Sequence, residues 1–216
     1  MAVREQILKE ATKQFAARGY EGTSLQAVAD AVGIRKASLL YHFPSKKHLR
    51  SAVLDRLLSR WRERVPRLLL AATSGKDQFE AVIQEVVRFF VADPDRARIL
   101  VREALDRPDE MRHLLEVHVQ PWAGMVCNHI RQGQTAGRVY ADLDPEAYVA
   151  QVVNLVIGSV ATFDCVGALF SVGKKRKKGE PDPLERHVAE LLRIARYSLF
   201  RPSADHHAPQ GGGTRD

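Results

Sequence analysis

The spacing of apolar residues at the start of the chain predicts three short helices. Apolar side chains recur every three or four positions from residue 3 to residue 18, with charged side chains between them. Thr23 or Ser24 can cap a second helix, and Gly33 ends it, because glycine readily adopts the left-handed conformation found after helices. A third helix follows from Arg35 to His42. Two helices joined by so short a turn are typical of a helix-turn-helix.

The pattern after residue 45 predicts longer helices and no strand. Ser45 can cap a helix that runs from Lys46 towards Pro66. Pro121 is expected to kink or break the long segment 108–137, because proline removes a helical hydrogen bond. The remaining predicted helices begin at polar or proline start signals and cover 79–91 after the capping residue Asp77, 95–106, 145–172, and a last segment from 180–183 to Phe200. The predicted fold class is therefore all-α.

The positive charge of the chain is concentrated at its N-terminal end. The formal net charge is +7, and residues 1–60 hold eleven lysines and arginines against five acidic residues, a surplus of six. The rest of the chain is therefore almost neutral. A basic segment that coincides with a predicted helix-turn-helix indicates an anionic partner such as nucleic acid phosphate.

The cysteine content and the distribution of charge favour a soluble cytoplasmic protein. Cys127 and Cys165 are too few for a disulfide framework, and no zinc-type spacing surrounds them, so we expect reduced thiols, no metal and no cofactor. The charged N-terminus does not resemble a signal peptide. No later uncharged stretch is expected to be long enough to span a membrane.

The second and third predicted helices carry a recognisable pattern. Ala29 is followed four positions later by the turn glycine, and the next helix ends in Tyr41-His42-Phe43, followed by Ser45 and Lys46. From about residue 4 to residue 55 the chain resembles the TetR family of transcriptional regulators. It departs from the family pattern at Leu40, where the family usually has tyrosine, and at Arg35, where it usually has a serine-type cap.

The resemblance implies two domains in the chain, a helix-turn-helix DNA-binding domain in residues 1–46 and a helical effector-binding and dimerisation domain in residues 47–201. Residues 202–216 lack apolar periodicity and are expected to form a disordered tail. The implied partners are a double-stranded DNA operator, a small-molecule effector and a second copy of the chain. The implied function is a sequence-specific regulator, acting as a repressor that an apolar or amphipathic ligand releases from a pseudo-palindromic operator.

The resemblance also implies which side chains contact DNA. Those expected to face base edges in the major groove are Gln26, Lys36, Ala37 and Ser38. Those expected to contact phosphates, and so to fix register, are Thr23, Arg35, Tyr41, His42 and Lys46. Each of these residues taken singly could be ordinary surface or packing. Their spacing as a set inside a basic three-helix module favours contact with DNA.

The C-terminal region is interpreted from its apolar segments. Residues 147–172 are apolar almost all round, which indicates burial on more than one face, as in a helix that also contacts a partner subunit. An ordinary central core helix is the alternative. The side chains expected to line the effector pocket are aromatic, apolar or isolated polar groups, namely Phe89, Phe90, Leu105, Trp122, Met125, His129, Asn154 and Phe163.

Two other classes of function remain open at this stage. One is a DNA-binding architectural or activator protein without a small-molecule effector, which would share the reading helix but have no closed apolar pocket. The other is a hydrolase-like enzyme using Cys127 and His129, which is disfavoured because residues two apart on a helix point to different faces. The basic run from Lys174 to Lys178 is expected to form a solvated loop between the last two helices.

Overall fold

The computed structural model describes residues 2–71, 75–167, 169 and 182–201, and these form ten α-helices. The helices are α1 (Val3–Arg18), α2 (Leu25–Val32), α3 (Lys36–His42), α4 (Lys46–Ala71), α5 (Gly75–Val91), α6 (Asp95–Asp106), α7 (Pro108–His118), α8 (Gln120–Thr135), α9 (Pro145–Thr162) and α10 (Pro183–Tyr197). A π-helical turn, Phe163–Gly167, extends α9. An isolated antiparallel bridge joins Val139 to Phe200. The all-α class is confirmed, whereas the Lys174–Lys178 run and the 202–216 tail lie outside the described residues.

Helices α1 to α3 form the predicted three-helix module. The Ser24 side chain, rather than that of Thr23, caps α2 by accepting the Ala27 N–H at 3.0 Å. Gly33 ends α2 with φ +76°, and the N–H of Ile34 donates back to the Ala29 carbonyl at 3.0 Å. This pairing, with the left-handed residue just past the helix, is a Schellman motif, and it turns the chain directly into α3.

We expect Gly33→Ala to destabilise the fold by about 1–2 kcal/mol through backbone strain alone. An added Cβ at Gly33 has no neighbour within 4 Å, so no steric clash contributes. Gly124→Ala is the matched control, because Gly124 also has free space around it but has no positive φ and lies inside α8. The control should be neutral or stabilising by up to about 1 kcal/mol. Urea unfolding of both variants measures the difference, and equal effects would contradict the assignment.

Helix α4 runs through its proline. It begins at Lys46 as expected, and the Ser45 hydroxyl accepts the His48 N–H at 3.2 Å. The sequence predicted an end near Pro66, but α4 continues to Ala71. Val65 and Leu69 on either side of the proline are buried in the core, and this packing holds the helix together across the missing hydrogen bond.

The next helices differ from the prediction mainly at their ends. Helix α5 begins at Gly75, so Asp77 lies in its first turn instead of capping it. Helix α6 has the predicted bounds. The long 108–137 segment is divided into α7 and α8 at Val119, two residues before Pro121, which confirms the predicted break. Both helices pack on α4, and the break lets α7 also pack on α6 while α8 packs on α9.

Helices α9 and α10 complete the fold and leave one apolar face uncovered. Aspartate caps both, with Asp144 accepting the Ala147 N–H at 2.9 Å and Asp182 forming a capping box. Within α9 only Val156 and Val160 are buried, although the helix is apolar nearly throughout. Helix α10 ends at Tyr197, earlier than predicted.

By length and composition alone, the segment Pro145–Gly167 could cross a membrane, with a mean hydropathy of 1.7. The segment includes Glu146 and Asp164, and its uncharged part, 147–163, is shorter than the roughly 20 residues typical of a transmembrane helix. The expectation about uncharged stretches is therefore not contradicted. Gln151 and Asn154 interrupt the exposed side of the segment with polar groups. The same segment also packs on α6, α8 and α5 within the helical domain.

Candidate DNA-binding surface and effector cavity

Helix α3 presents an uncovered polar face. Leu39 anchors the helix in the core with no exposed surface, while Arg35, Lys36 and Ser38 lie on the outside. Tyr41 is 86% exposed. Neither of the two cations has a hydrogen bond or ion pair with any described residue. This face, with Ala37 also exposed on it, is available to a partner.

Two predicted contact residues are engaged inside the protein instead. Thr23 is buried, and its hydroxyl donates to the Gly19 carbonyl at 2.8 Å, so the predicted role of this side chain on phosphate needs correction. Lys46 is half-buried, with its ammonium 4.3 Å from the centre of the Tyr20 ring and 3.3 Å from the Glu21 carbonyl oxygen. The ammonium group is therefore held within the protein, which differs from the free cation that was expected.

The remaining two predicted residues lie at the edge of this face. The Gln26 side chain is exposed, and its amide donates to Asp30 at 2.7 Å, which orients it on α2. His42 is partly buried and packs edge-on against Tyr41, with ring centroids 5.4 Å apart. Both residues keep part of their surface next to the α3 face.

The reader module, α1 to α3, is attached to the helical domain through arginines. The Arg102 side chain on α6 donates to the carbonyl of Ala16 at 2.8 Å, and a second, longer bond at 3.4 Å reaches the carbonyl of Ala17. Arg107 pairs with Glu21 at 3.0 Å and lies over the Tyr20 ring. The carbonyls that Arg102 contacts belong to the last turn of α1, where helical partners are absent.

A buried ion pair lies beside this attachment and joins α4 to α6. Arg50 and Glu103 are each 3% exposed, and the Arg50 Nε donates to Glu103 at 2.7 Å. Arg50 also pairs with Glu110 on α7. Burial disfavours the charged guanidinium, but the hydrogen bonds to the two carboxylates outweigh it and raise the pKa of Arg50. The cluster therefore remains ionised and fixes α4 relative to α6 and α7.

Two cavities lie within the helical domain on either side of Trp122. The first, which we call the distal cavity, lies among α5, α8, α9 and the Val139–Phe200 bridge, and its walls are mainly valine, isoleucine, leucine and phenylalanine. The second, the proximal cavity, is lined by residues of α4 to α9, including Trp61 and Met111. Trp122 lines both cavities, and its Nε1 is buried without a hydrogen-bond partner among the described atoms.

The structure places half of the predicted pocket residues at these cavities. Trp122 lines both, His129 lines the distal cavity, and Phe90 and Asn154 line the proximal one. The other four predicted residues line neither cavity, and they are Phe89, Leu105, Met125 and Phe163.

The misplaced residues have clear structural reasons. Leu105 is 77% exposed on the outer side of α6. Phe89 packs against Trp61, with ring centroids 4.9 Å apart, and so belongs to the solid core. Phe163 begins the π-helical turn and contacts the His187 ring, while the partly buried Met125 packs against the core. The sequence showed that these side chains were apolar but not which face each one occupied.

The sequence analysis missed Arg138 and Tyr148, which both line the distal cavity. Tyr148 donates its hydroxyl hydrogen to the Ala195 carbonyl, and burial raises the pKa of Tyr148. Arg138 lies in the turn after α8 and has no local sequence signal of its own. Its position depends on the bridge between the segments around residues 139 and 200, which no local pattern predicts.

Cys127 and His129 do not form a nucleophile and base pair. Cys127 is buried, and burial raises the pKa of its thiol. The His129 Nδ1 lies 2.9 Å from the Met125 carbonyl and is therefore occupied by the backbone. In the described part of the chain, no group of three histidine, cysteine or acidic side chains could hold a metal ion.

Comparisons with known proteins agree with this geometry. The sequence model described as "Bacterial regulatory proteins, tetR family" matches residues 7–53, and the one described as "Tetracyclin repressor-like, C-terminal domain" matches residues 100–167. The HTH-type transcriptional regulator RutR of Escherichia coli K12 is 26% identical over 161 residues, covering 70% of each protein. The biofilm operon regulator IcaR of Staphylococcus aureus Newman is 45% identical over 47 residues, 22% of this chain and 25% of its own.

Solved structures show the same fold. The ketosteroid transcriptional regulator KstR2 of Mycobacterium tuberculosis superposes with a TM-score of 0.71 at 19% identity, covering 93% of this chain and 96% of its own. The family is one of DNA-binding regulators rather than enzymes. The two sequence models together span more than half of the chain and include both the α2–α3 reading unit and the α9 segment. The chain therefore belongs to the TetR family, and it is a helix-turn-helix transcriptional regulator.

Proposed function

We propose that this regulator is a cytoplasmic repressor that binds a pseudo-palindromic operator as a homodimer and leaves it when a small molecule enters the helical domain. The DNA-binding part of this proposal rests on the exposed face of α3, where the side chains of Arg35 and Lys36 have no partner in the described structure. Water solvates such a polar face without a cost in stability. The face also suits the major groove of DNA, which admits a single helix. No catalytic role is proposed.

The contacts on DNA follow from the position of each side chain. Lys36, Ala37 and Ser38 lie at the start of α3, where the reading helix of this motif meets base edges. Arg35 precedes the helix, and Tyr41 projects from its last turn, so both are proposed to contact phosphates. Gln26 is proposed as a further base contact from α2, with Asp30 orienting its amide.

The homodimer is proposed to use the uncovered faces of α9 and α10. Val166 is 54% exposed after α9, and Ile194 and Tyr197 on α10 are 45% and 63% exposed. Gly158 and Ala161 offer small side chains on α9 for close approach between helices. A second copy of the chain would cover these surfaces, and it would also account for the apolar segment without a membrane.

Release by an effector is proposed to act through α4. Leu58 and Trp61 line the proximal cavity, while Leu69 of the same helix lines the distal one. The N-terminal end of α4 follows the reading helix directly, and Arg50 ties it to α6. A ligand that prefers one orientation of α4 by about 1–3 kcal/mol would change operator affinity roughly 5 to 150-fold.

We expect Arg35→Ala and Lys36→Ala to change DNA binding in two different ways. Loss of the proposed phosphate contact at Arg35 should weaken binding to all sequences alike and reduce the slope of log affinity against log salt by about 0.9. Loss of Lys36 should change which base is preferred at one position. The test is selection from a random DNA library, followed by salt titrations on the selected site. Equal relaxation of sequence preference in both variants would contradict these roles.

Operator release is tested separately with a compound screen. Compounds that raise the melting temperature should include some that lower affinity for the selected operator roughly 5 to 150-fold at constant salt. Trp122→Ala alters the wall shared by both cavities and should abolish this release while leaving DNA binding intact. If every stabilising compound leaves operator affinity unchanged, the chain is better described as an architectural or activator protein without an effector.

A further inference from the structure

The distal cavity is apolar inside and lacks negative charge. Of its lining residues, none is aspartate or glutamate, and the same holds for the proximal cavity. Arg138 is exposed where it lines the distal cavity, and it forms no ion pair with a described residue. The Arg201 N–H donates to the Arg138 carbonyl at 3.0 Å, which brings the backbone of a second arginine beside it. The Arg138 guanidinium therefore gives the rim of the cavity a positive charge.

Most other polar groups of the distal cavity are already engaged with the protein. The Gln78 amide donates to the Leu69 carbonyl at 2.9 Å, and the Tyr148 hydroxyl donates to the Ala195 carbonyl. His129 uses its Nδ1 on the Met125 carbonyl. This leaves two donors for an occupant, the Arg138 guanidinium at the rim and the Nε1–H of Trp122, whose side chain forms part of the wall shared with the proximal cavity.

The Trp122 donor is the more unusual of the two. Trp122 is only 7% exposed, and its Nε1 is buried with no acceptor among the described residues. A buried N–H without an acceptor is unfavourable, and tryptophan normally finds one when buried. An occupant of the cavity that carries an oxygen near this ring would supply it.

We propose that the effector is an elongated apolar carboxylic acid with a second, uncharged oxygen in its interior part. Its carboxylate binds the Arg138 guanidinium at the rim, its apolar body fills the distal cavity, and its second oxygen accepts the Trp122 N–H. Positions 122 and 133 are separated by eleven residues of α8, or roughly 16 Å at 1.5 Å per residue. Arg138 follows through a turn whose N–H groups bond back to Gly133. The ligand is therefore long and narrow.

The same arrangement excludes cations. A ligand ammonium at the rim would meet Arg138 without a compensating carboxylate, and one inside the cavity would have no carboxylate to pair with. An alcohol of the same length would fill the cavity but forgo the charge-assisted bond. The protein should therefore distinguish ligands of equal length by the charge of their head group, and this difference in affinity can be measured. The proposal rests on the proposed effector role of this cavity.

Head-group selectivity can be measured without DNA. Calorimetric titration of the full chain uses dodecanoate, 1-dodecanol and dodecylammonium below their micelle concentrations, together with 12-hydroxydodecanoate and carboxylates from hexanoate to hexadecanoate. Dodecanoate should bind at least about tenfold more tightly than dodecylammonium, as one charge-assisted hydrogen bond allows. Arg138→Gln should remove most of that preference. Arg131→Gln is the matched control, because Arg131 is also near the end of α8 but pairs with Glu146.

Trp122→Phe tests the inner oxygen, because it keeps an aromatic ring and removes only the N–H donor. The preference of the wild-type chain for 12-hydroxydodecanoate over dodecanoate should then disappear. If dodecylammonium binds as tightly as dodecanoate, if no carboxylate of the series binds, or if Arg138→Gln behaves as Arg131→Gln, the proposal is wrong. A hydroxyl preference unchanged by Trp122→Phe overturns the assignment of that donor.

Operator affinity, measured in parallel, separates this proposal from the one on which it rests. If the acids bind with the expected selectivity but leave operator affinity unchanged, the proposal of ligand-induced operator release is wrong, whereas the proposed class of ligand is supported. If other compounds release the operator while the acids do not bind, the proposed class of ligand is wrong, whereas ligand-induced operator release is supported.

Discussion

Substituting Arg50 by methionine is expected to lower the free energy of unfolding by about 3–5 kcal/mol, because it leaves a buried carboxylate without its partner. Glu103 is 3% exposed and accepts two contacts from Arg50, at 2.7 Å from Nε and 2.5 Å from Nη2. Methionine keeps much of the side-chain volume, so the loss is electrostatic rather than a cavity. Chemical denaturation followed by circular dichroism measures the change.

The double variant Arg50→Met with Glu103→Met supplies the control. It removes both buried charges at once, and replacement of a whole buried ion pair by apolar groups is often neutral or stabilising. The double variant should therefore recover most of the loss. If Arg50→Met costs no more than about 1 kcal/mol, the pair behaves as an exposed one and does not fix α4.

Glu110 makes the stability contributed by this cluster depend on pH. Its hydrogen bond from Arg50 lowers the pKa of Glu110 below the ordinary value. A carboxylate whose pKa is lowered by folding stabilises the folded state above its unfolded pKa, and the contribution is lost as the pH falls through the lowered value. The Arg50→Met variant should therefore show a weaker loss of stability on acidification than the wild-type chain, since Glu110 no longer has this partner.

Val166→Asp is expected to convert the proposed homodimer to monomers and to lower operator affinity by a factor of about 10²–10⁴. In a symmetric dimer each substitution appears twice, so two carboxylates would lose water at one interface. Each monomer would keep its reading helix, but the second half-site would no longer bind as part of the same assembly. Sedimentation velocity and operator titration measure the two effects.

Leu105→Asp is the matched control for this substitution. Leu105 is an exposed apolar residue like Val166, but it lies on α6, away from the proposed interface. It should leave both the oligomeric state and operator affinity unchanged. A Val166→Asp variant that remains dimeric would show that the dimer uses another surface.

Local signals predicted the reading unit well. The Ser24 cap, the Gly33 turn and the apolar positions of α2 act over a few residues, so the sequence alone contains most of what determines them. The break before Pro121 is of the same kind, because proline acts on its own helix. These elements agree with the prediction because their causes are local.

Long-range packing decided the features that the sequence did not predict. Pro66 does not end α4, because buried neighbours on both sides stabilise the helix. Leu105 faces solvent although it is apolar, and Arg138 reaches the distal cavity through a bridge to a segment some sixty residues away. Thr23 is buried by the packing around it, and its hydroxyl is satisfied by the Gly19 carbonyl. None of these outcomes is readable from periodicity along one helix.

The way Arg102 holds the end of α1 has a consequence for exchanging parts between regulators. Its two acceptors, the carbonyls of Ala16 and Ala17, belong to the backbone, so they would be present whatever side chains a substituted α1 carried. The incoming module must also supply two side chains at this point: Glu21, which pairs with Arg107, and Tyr20, whose ring lies under Arg107. A DNA-reading module grafted from another protein should therefore dock on this helical domain if it keeps the helix end, the buried apolar face of α1, an aromatic residue at position 20 and an acidic residue at position 21.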